Sequence, residues 1–333
     1  MGNPVRIGFI LTPGYSLMSM TAAVEPLRAA NHLAGADLYR PAFFSVGGGF
    51  AASTSGGGFP ALPLIETHGG AATGALDLVF VVAGGNPMQY HDPALIRGLR
   101  SLDRRGISLG GISGGAAILA RYGLMRGRRF TLHWAHIDAL SEEMPELLID
   151  RALYVIDRDR YSCAGGVAVL DMMCAVIARD HGAGFARSVA EWFIHPRPRT
   201  ANEPQREAQQ PGNAHPALTA AIDLMFSHLA DPLSADQIAA QVGLSARQLQ
   251  RLFIDHLDCP LMQFYREMRL KKADELVQQT ALPMLDIALI TGFGSAAHFS
   301  RAYSAMFGLA PVRRRRMMAT RGRMAFDPFR VTE

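Results

Sequence analysis

The sequence contains few cysteines and no long hydrophobic stretch. Its three cysteines, Cys163, Cys174 and Cys259, are scattered and lack the spacing of metal ligands or of a disulfide framework. We therefore expect reduced thiols and predict neither a metal nor a cofactor. No apolar run reaches 18 residues, and no basic segment followed by an apolar core opens the sequence. These absences argue against a disulfide-stabilised secreted protein and against membrane insertion, and they indicate a cytoplasmic protein.

An excess of either charge is also nearly missing, since the 333 residues carry a net charge of only +4. Residues 1–196 contain 16 basic and 16 acidic side chains, whereas residues 217–333 contain 14 and 11. The basic surplus includes four contiguous arginines at 313–316. A neutral front and a mildly basic back fit a back half that faces phosphate. The length, with 49% hydrophobic residues, is sufficient for two cores.

The first 196 residues alternate apolar runs with helical patterns. Runs at 5–11, 76–83 and 107–112 are bounded by turn residues and suit buried parallel strands. Pro26 lies inside the helical pattern at 17–33 and predicts a kink or a restart near Glu25. This alternation predicts an α/β sandwich with a mostly parallel, flavodoxin-like sheet.

A change of composition marks the end of this region. Residues 197–216 contain four prolines and three glutamines and almost nothing apolar, which predicts a linker. Residues 217–316 are helical in pattern throughout and form the second predicted domain. Residues 317–333 are a tail, and the arginine-rich chain after Pro311 is predicted to be partly disordered.

Two passages in the second domain repeat each other. Ser245 and Arg251 recur, 50 positions later, as Ser295 and Arg301. Each passage places an Ala four residues before a Gly, then a Ser that suits a helix N-cap, which is typical of a helix-turn-helix. Two such matches in tandem predict an all-α tandem helix-turn-helix domain.

The outward residues of the two second helices are the candidates for contact with DNA. A recognition helix places its N-terminal residues nearest the base edges, where Arg suits guanine and Gln suits adenine. The predicted DNA-binding residues are Ser245, Arg247, Gln248, Gln250, Arg251, Ser295, Ala297, His298 and Arg301. The predicted phosphate contacts are Arg313, Arg314 and Arg315. For any single arginine, the alternative is a solvated helix surface.

Residues 217–316 resemble the DNA-binding domain of the AraC/XylS regulators. In that family a long helix joins two helix-turn-helix units, and residues 261–279 match it here. Phe307-Gly308 and Pro311 are similar to the family's ending, Phe-Gly-x-Ser-Pro. The resemblance implies sequence-specific binding to double-stranded promoter DNA, a homodimer, and RNA polymerase as a further partner.

Ser113 is the most suggestive residue of the first domain. It lies in Gly-Ile-Ser-Gly-Gly at 111–115, between a strand end and a helix start. That arrangement is typical of a nucleophile elbow, where a helix N-terminus and loop N–H groups can stabilise an anion.

The first 196 residues resemble the ThiJ/PfpI-like domain of the class I glutamine-amidotransferase-like superfamily. The resemblance is carried by Gly84-Gly85 after a strand, the elbow, and His133-Trp134. Enzymes of that family carry Cys at the elbow, a supporting His and a Glu from the first helix, for which Ser113, His133 and Glu25 are the matching candidates. A hydroxyl is harder to ionise than a thiol, so the substitution favours effector binding without turnover. The candidate effector-binding residues are Glu25, Gly84, Gly85, Ser113, Gly114, His133 and Trp134.

These observations together predict a transcriptional regulator, an activator, that responds to a small metabolite and has no catalytic residue. A carboxylate at Glu25 would suit a cationic nitrogenous ligand. One alternative is an amidase or deglycase-like hydrolase with a DNA-binding appendage, in which Asp157 or Asp171 with His195 would assist Ser113. Another is a scaffold that uses the tandem helices for protein contacts. For His133 alone, the alternative is a buried, hydrogen-bonded histidine.

Overall fold

The computed structural model describes residues 3–68, 74–205 and 215–323. It divides into two units, the first extending through Gln205 and the second beginning at Arg206. Residues 197–205, predicted as linker, are therefore part of the first unit. The rest of the predicted linker, residues 206–214, and the tail from 324 onward lie outside the described residues.

The first unit is built from strands and helices in alternation. The strands are β1 (Val5–Leu11), β2 (Tyr39–Ser45), β3 (Gly47–Ala52), β4 (Gly58–Pro63), β5 (Leu78–Ala83), β6 (Ser108–Ser113), β7 (Arg129–Phe130), β8 (Leu148–Ile149), β9 (Tyr154–Asp157) and β10 (Arg160–Cys163). The helices are α1 (Leu17–Ala34), α2 (Pro93–Arg104), α3 (Gly115–Arg121), α4 (Trp134–Glu143), α5 (Ala168–His181) and α6 (Ala183–Trp192), with a 3-10 turn at Leu64–His68.

Within the described residues, the main sheet has the strand order β3-β4-β2-β1-β5-β6-β10-β9. The strands from β4 through β10 in this order pair in parallel, while β3 and β9 are antiparallel edges. The predicted mostly parallel α/β sandwich is confirmed. Because β1 connects to β2 on one side while β5 and β6 lie on its other side, β1 and β5 flank a topological switch point, where open α/β sheets bind ligands.

The core fills both faces of the sheet. Alternate residues of β5 point to opposite faces, so Val79 and Val81 join one cluster while Phe80 and Val82 join the other. Helices α1, α5 and α6 cover the Phe80 face, and α2, α3 and α4 cover the Val79 face. With helices on both faces, the carboxyl edge of the sheet is where a ligand can approach the backbone.

Two local expectations can be compared with the structure. Helix α1 continues through Pro26 without the restart that was one of the two alternatives, because packing of its buried face outweighs one missing backbone hydrogen bond. Partial disorder was expected after Pro311, and the described part of that chain is helix α13 (Pro311–Arg323).

The second unit is all-helical, as predicted. Its remaining helices are α7 (Pro216–Ser227), α8 (Ala235–Gln241), α9 (Ala246–Leu257), α10 (Leu261–Gln279), α11 (Met284–Ile290) and α12 (Ala296–Phe307). The pairs α8–α9 and α11–α12 are the two helix-turn-helix units, and Leu249 and Phe299 bury the second helix of each. The long helix α10 joins the two units.

Candidate functional site

The elbow predicted at Ser113 is present at the end of β6. Ser113 has a φ of +58°, a conformation that costs a non-glycine residue on the order of 1–3 kcal/mol. Gly115, the first residue of α3, packs so closely on β5 that a Cβ there would lie 1.9 Å from the Val81 carbonyl oxygen. The strained serine is therefore held between a strand end and a helix N-terminus.

The groups beside Ser113 come from the chain after β10 and from the start of α1. A Cβ on Gly165 would lie 2.7 Å from the Ser113 Cβ, so this backbone lies directly against the elbow. The next N–H, of Gly166, donates to Ser19 Oγ at 2.8 Å, and Ser19 Oγ donates to Ser16 Oγ at 3.0 Å. The neighbourhood is built from backbone and hydroxyl groups. Sequence reasoning missed Ser19 because nothing in its local pattern points to the elbow.

The structure does not bring Glu25 to the elbow. Its carboxylate pairs with Arg28 at 2.7 Å and remains 42% exposed. Glu25 lies six residues beyond Ser19, which is about 240° around the axis of α1 and therefore on another face. A role for Glu25 in effector binding remains a prediction, and the position of its side chain does not favour that role.

The two glycines after β5 lie closer to the elbow region. Gly84 touches the loop after β1, because a Cβ there would lie 2.5 Å from the Gly14 carbonyl oxygen. Gly114, at the elbow itself, packs against Pro87 of the loop after β5, because a Cβ on Gly114 would lie 2.8 Å from the Pro87 Cβ. The loop after β5 thus contacts both the elbow and the end of β1, and Gly85 lies exposed within it.

His133 and Trp134 lie at the start of α4. His133 Nδ1 accepts a hydrogen bond from the Ala135 N–H at 3.3 Å, so the side chain caps the helix. Burial lowers the pKa of His133, which favours the neutral ring. Its ring lies 5.1 Å from that of Trp134, which is 37% exposed and is not a core residue.

Two of the residues considered for a hydrolase, Asp171 and His195, do contact each other. His195 Nε2 lies 2.8 Å from Asp171 Oδ1, but the same carboxylate also accepts from Arg199, whose side chain binds Oδ2. Asp157 is held by the Arg129 N–H and by Arg158, which lower its pKa. Among the described residues, no carboxylate or imidazole forms a hydrogen bond with Ser113.

A cavity that the sequence did not reveal opens at the same edge of the sheet. Its volume is about 320 Å³, and it lies beside the switch point. Its lining residues are Leu11, Thr12, Pro13, Gly14, Ser45, Val46, Gly47, Phe50, Ala51, Ala52, Tyr90 and Asp92. The loop that contacts the elbow also supplies Tyr90 and Asp92, so cavity and elbow share one wall.

Asp92 is the one charged residue among those lining the cavity. Its Oδ1 accepts from the Ala94 and Leu95 N–H groups at 2.8 and 3.1 Å and so caps α2. Burial, with Asp92 nearby, raises the pKa of Tyr90, which is therefore a neutral phenol at physiological pH. An aromatic wall with one carboxylate and no Lys, Arg or His in the lining favours cations.

Two other kinds of feature are absent from the described residues. No group of His, Cys, Asp and Glu side chains is arranged to hold a metal ion there. In the same residues, no helix has the length and apolar character of a membrane span. Cys163 and Cys174 are free and buried, and burial raises the pKa of each to about 12, so they are unreactive thiols.

The second helices of the two helix-turn-helix units, α9 and α12, are named the reading helices. They present exposed side chains at equivalent positions. Arg247, Arg251 and Arg301 are exposed, as are Ala297 and His298. Arg251 makes an exposed pair with Asp255 at 3.3 Å, whereas no ion pair involves Arg301 in the described part of the chain. The exposed arginines are placed to donate hydrogen bonds to the acceptor atoms of DNA.

Four of the predicted DNA-binding side chains also have structural roles. Ser245 Oγ accepts from the Gln248 N–H while Gln248 Oε1 accepts from the Ser245 N–H, which forms a capping box. Ser295 caps α12 in the same way, through the His298 N–H. Gln250 Oε1 accepts from the Leu261 N–H at 3.1 Å and so caps α10. Gln250 therefore joins α9 to the connecting helix.

Polar contacts fix α10 to both helix-turn-helix units. Tyr265 donates from its hydroxyl to the His228 carbonyl oxygen at 2.6 Å, on the side of the first helix-turn-helix. Arg269 donates to the Gly292 carbonyl oxygen at 2.8 Å and lies 4.7 Å over the Phe293 ring, in the turn of the second helix-turn-helix. Asp274 accepts from the Tyr303 hydroxyl of α12. These contacts hold the two reading helices on one support.

Two of the three predicted phosphate contacts are engaged inside the second unit. Arg314 lies 3.4 Å from Asp274, and Arg315 donates to the Val277 and Leu282 carbonyl oxygens at 3.1 and 2.7 Å. Burial lowers the pKa of Arg315. Arg313 is exposed and remains a candidate for phosphate contact.

This difference gives a prediction about salt dependence. Arg313→Ala is expected to reduce the slope of log K for DNA against log salt by about 0.9, since one released counterion is lost. Arg315→Ala, the matched control, is expected to leave the slope unchanged and to lower the melting temperature. Binding titrations at several salt concentrations measure both slopes. Equal slope changes in the two variants would contradict the assignment.

Comparison with known proteins agrees with both units. A family model for a helix-turn-helix domain matches residues 238–317. The HTH-type transcriptional regulator GlxA of Rhizobium meliloti is 43% identical over 93% of this chain and 95% of its own length. The HTH-type transcriptional regulator CdhR of Pseudomonas aeruginosa is 39% identical over 96% of this chain and 94% of its own.

A solved structure is similar as well. The crystal structure of an AraC family transcriptional regulator from Pseudomonas putida is 32% identical, with a TM-score of 0.51, and covers 57% of this chain and 100% of that one. Relatives this similar along nearly their whole length show that the chain belongs to the AraC-type HTH transcriptional regulators.

Proposed function

We propose that this regulator is a cytoplasmic, homodimeric activator that responds to a small cationic, nitrogen-containing metabolite. In this proposal α9 and α12 bind promoter DNA, and the first unit binds the metabolite. RNA polymerase is a further partner of the DNA-bound regulator. The DNA part is supported by Arg251 and Arg301, exposed at the same position of two helices that α10 holds together. Helices held in this way would enter successive major grooves ~34 Å apart.

The observation that carries the effector part is the cavity with Asp92 as its one charged lining residue. A cationic group gains from a carboxylate in a partly desolvated cavity, and the rings of Tyr90 and Phe50 add cation–π attraction. The lining leaves an anion without a positively charged partner. The cavity volume of about 320 Å³ matches a small metabolite.

Asp92→Asn tests this assignment without disturbing the fold. Asn caps a helix as well as Asp does, so the hydrogen bonds from Ala94 and Leu95 are expected to survive while the charge is removed. The full-length protein is screened by thermal shift against tetramethylammonium, guanidinium, acetate and neutral isosteres. We expect stabilisation by one of the cations in the wild type, and its loss in the variant.

Two further variants serve as controls in the same screen. Glu25→Gln separates the cavity from the earlier hypothesis, because that hypothesis requires the Glu25 charge and the cavity does not. Ser113→Ala is expected to keep both the thermal shift and DNA binding, whereas a hydrolase that uses Ser113 would lose turnover. Stabilisation by acetate, or a response unchanged in Asp92→Asn, would contradict the proposed cation site.

A further inference from the structure

The chain that leaves α6 does not run directly to the second unit but folds back along the first. We name residues 195–205 the return segment. Its start binds α5, its middle accepts a hydrogen bond from the Leu153 N–H at Ala201 O, 2.8 Å, and its end binds the chain around Thr131. The segment is thus attached to three parts of the first unit before the second unit begins at Arg206.

The first attachment is a buried carboxylate with several donors. Asp171 has a fully buried side chain and accepts from the Arg199 N–H, from Arg199 Nε and Nη2 at 2.8 to 3.0 Å, and pairs with His195 Nε2. A desolvated carboxylate with this many partners is strongly held, because removing a partner leaves a buried charge uncompensated.

The second attachment is the side-chain amide of Gln205. Its Nε2 lies within hydrogen-bond distance of Thr131 Oγ1 and the Leu132 carbonyl oxygen, both at 3.0 Å, and of the Ala152 carbonyl oxygen at 2.7 Å. Its Oε1 is buried and has no hydrogen-bond partner among the described residues. An unpaired buried acceptor costs stability, so this attachment is weaker than the one at Asp171.

The first attachment lies next to the groups that surround the elbow, and the second lies at the start of α4. Asp171 is in the first turn of α5, which follows the Gly165-Gly166 backbone that touches Ser113 and Ser19. Gln205 binds Leu132, the residue immediately before His133. A ligand that shifts either loop therefore changes the surroundings of the return segment.

We propose that the return segment is the regulatory connection of the first unit, and that Gln205 is its releasable end. Gln205 is attached in one form of the first unit and released in the other, and the effector favours release, which detaches the last residues of the first unit from the chain around Thr131. This proposal rests on the proposed effector response. The ligand shifts the balance only by the difference in its affinity for the two forms.

Gln205→Glu in the full-length protein mimics release. The substitution keeps the shape but replaces a donor with a carboxylate that faces the Leu132 and Ala152 carbonyl oxygens, so the end of the segment is expected to detach. Glu203→Gln is the matched control, because it alters the contact with the Thr200 N–H and leaves the Gln205 amide in place. Hydrogen exchange over 196–205 and affinity for a DNA duplex selected by the wild type are measured without ligand.

We expect exchange in the 196–205 peptides to rise ~10-fold or more in Gln205→Glu, with a change in DNA affinity that Glu203→Gln does not share. Faster exchange with unchanged DNA affinity would overturn the proposal, as would unchanged exchange. Both readouts need no ligand, so they also separate this proposal from the effector response. If no cation stabilises the wild type but Gln205→Glu still alters DNA affinity, the effector proposal fails and the connection stands.

Discussion

Replacing Arg251 or Arg301 with alanine is expected to weaken binding to a specific duplex by about 1–3 kcal/mol, or ~5- to 150-fold. The two residues occupy the same position of α9 and α12, and both are exposed on the face opposite the buried Leu249 and Phe299. A bidentate contact between guanidinium and guanine accounts for a loss of this size. Because the helices are separate, the losses are expected to multiply in the double variant.

Arg251 and Arg301 differ in what they give up on binding DNA. Arg251 is 83% exposed and pairs with Asp255 at 3.3 Å, a surface pair that stabilises by at most ~1 kcal/mol. Asp255→Asn is therefore expected to strengthen DNA binding modestly, because it removes a competitor for Arg251 and a repulsive charge.

The measurement is fluorescence anisotropy at one salt concentration, with a duplex selected by the wild-type protein and a scrambled duplex. Arg266→Ala removes the same charge from the exposed surface of α10 and serves as the control. A loss confined to the selected duplex supports base reading. Equal losses on both duplexes would assign the arginines to phosphate, and no loss would make them solvated surface.

The tandem helix-turn-helix domain was predictable because its signals are local. Each Ala–Gly–Ser pattern lies within a few residues, and Ser245 and Ser295 do cap the reading helices. The strand-turn-helix signal of the elbow is equally local, and Ser113 does occupy a strained turn. These features were predictable because each depends only on residues within one turn and the elements beside it.

The cavity was not predictable, because its walls come from parts of the chain distant in sequence. Thr12 follows β1, Phe50 belongs to the edge hairpin, and Asp92 follows β5. Only the parallel order of the strands brings them to one edge. Glu25 was assigned to the elbow from the family resemblance alone. It lies six residues beyond Ser19 on α1, which places it on another face of the helix, where it pairs with Arg28.

The helical spacing of the arginine run was present in the sequence, but the four consecutive charges drew the interpretation toward phosphate binding. Pro311 is buried, and Arg314 and Arg315 follow it at the i+3 and i+4 positions of α13, so all three share its inner face. Four consecutive charges suggested a surface that binds phosphate. The helical period instead places two of them against α10, where Arg314 pairs with the Asp274 carboxylate and Arg315 donates to backbone carbonyl oxygens.

Gly115→Ala is expected to destabilise the first unit by about 3 kcal/mol or more, a Tm decrease of ~6–12 °C. The added Cβ would lie 1.9 Å from the Val81 carbonyl oxygen and 2.7 Å from its carbon, so the clash is with backbone of a central strand. All residues of β5 are buried, as are those of α3 from Gly115 to Ala120. Neither element can move without disturbing the core on both sides of the sheet.

Gly184→Ala is the matched control, since a Cβ there meets nothing within 4 Å in α6 and its φ is not positive. It is expected to stabilise the first unit by about 0.4–1 kcal/mol, because alanine restricts the unfolded chain. Calorimetry of the full-length proteins should show the first unit's transition moving in opposite directions for the two variants. The transition of the second unit should stay in place. A Gly115→Ala protein with wild-type stability would mean that α3 does not leave β6 through the tight turn that strains Ser113.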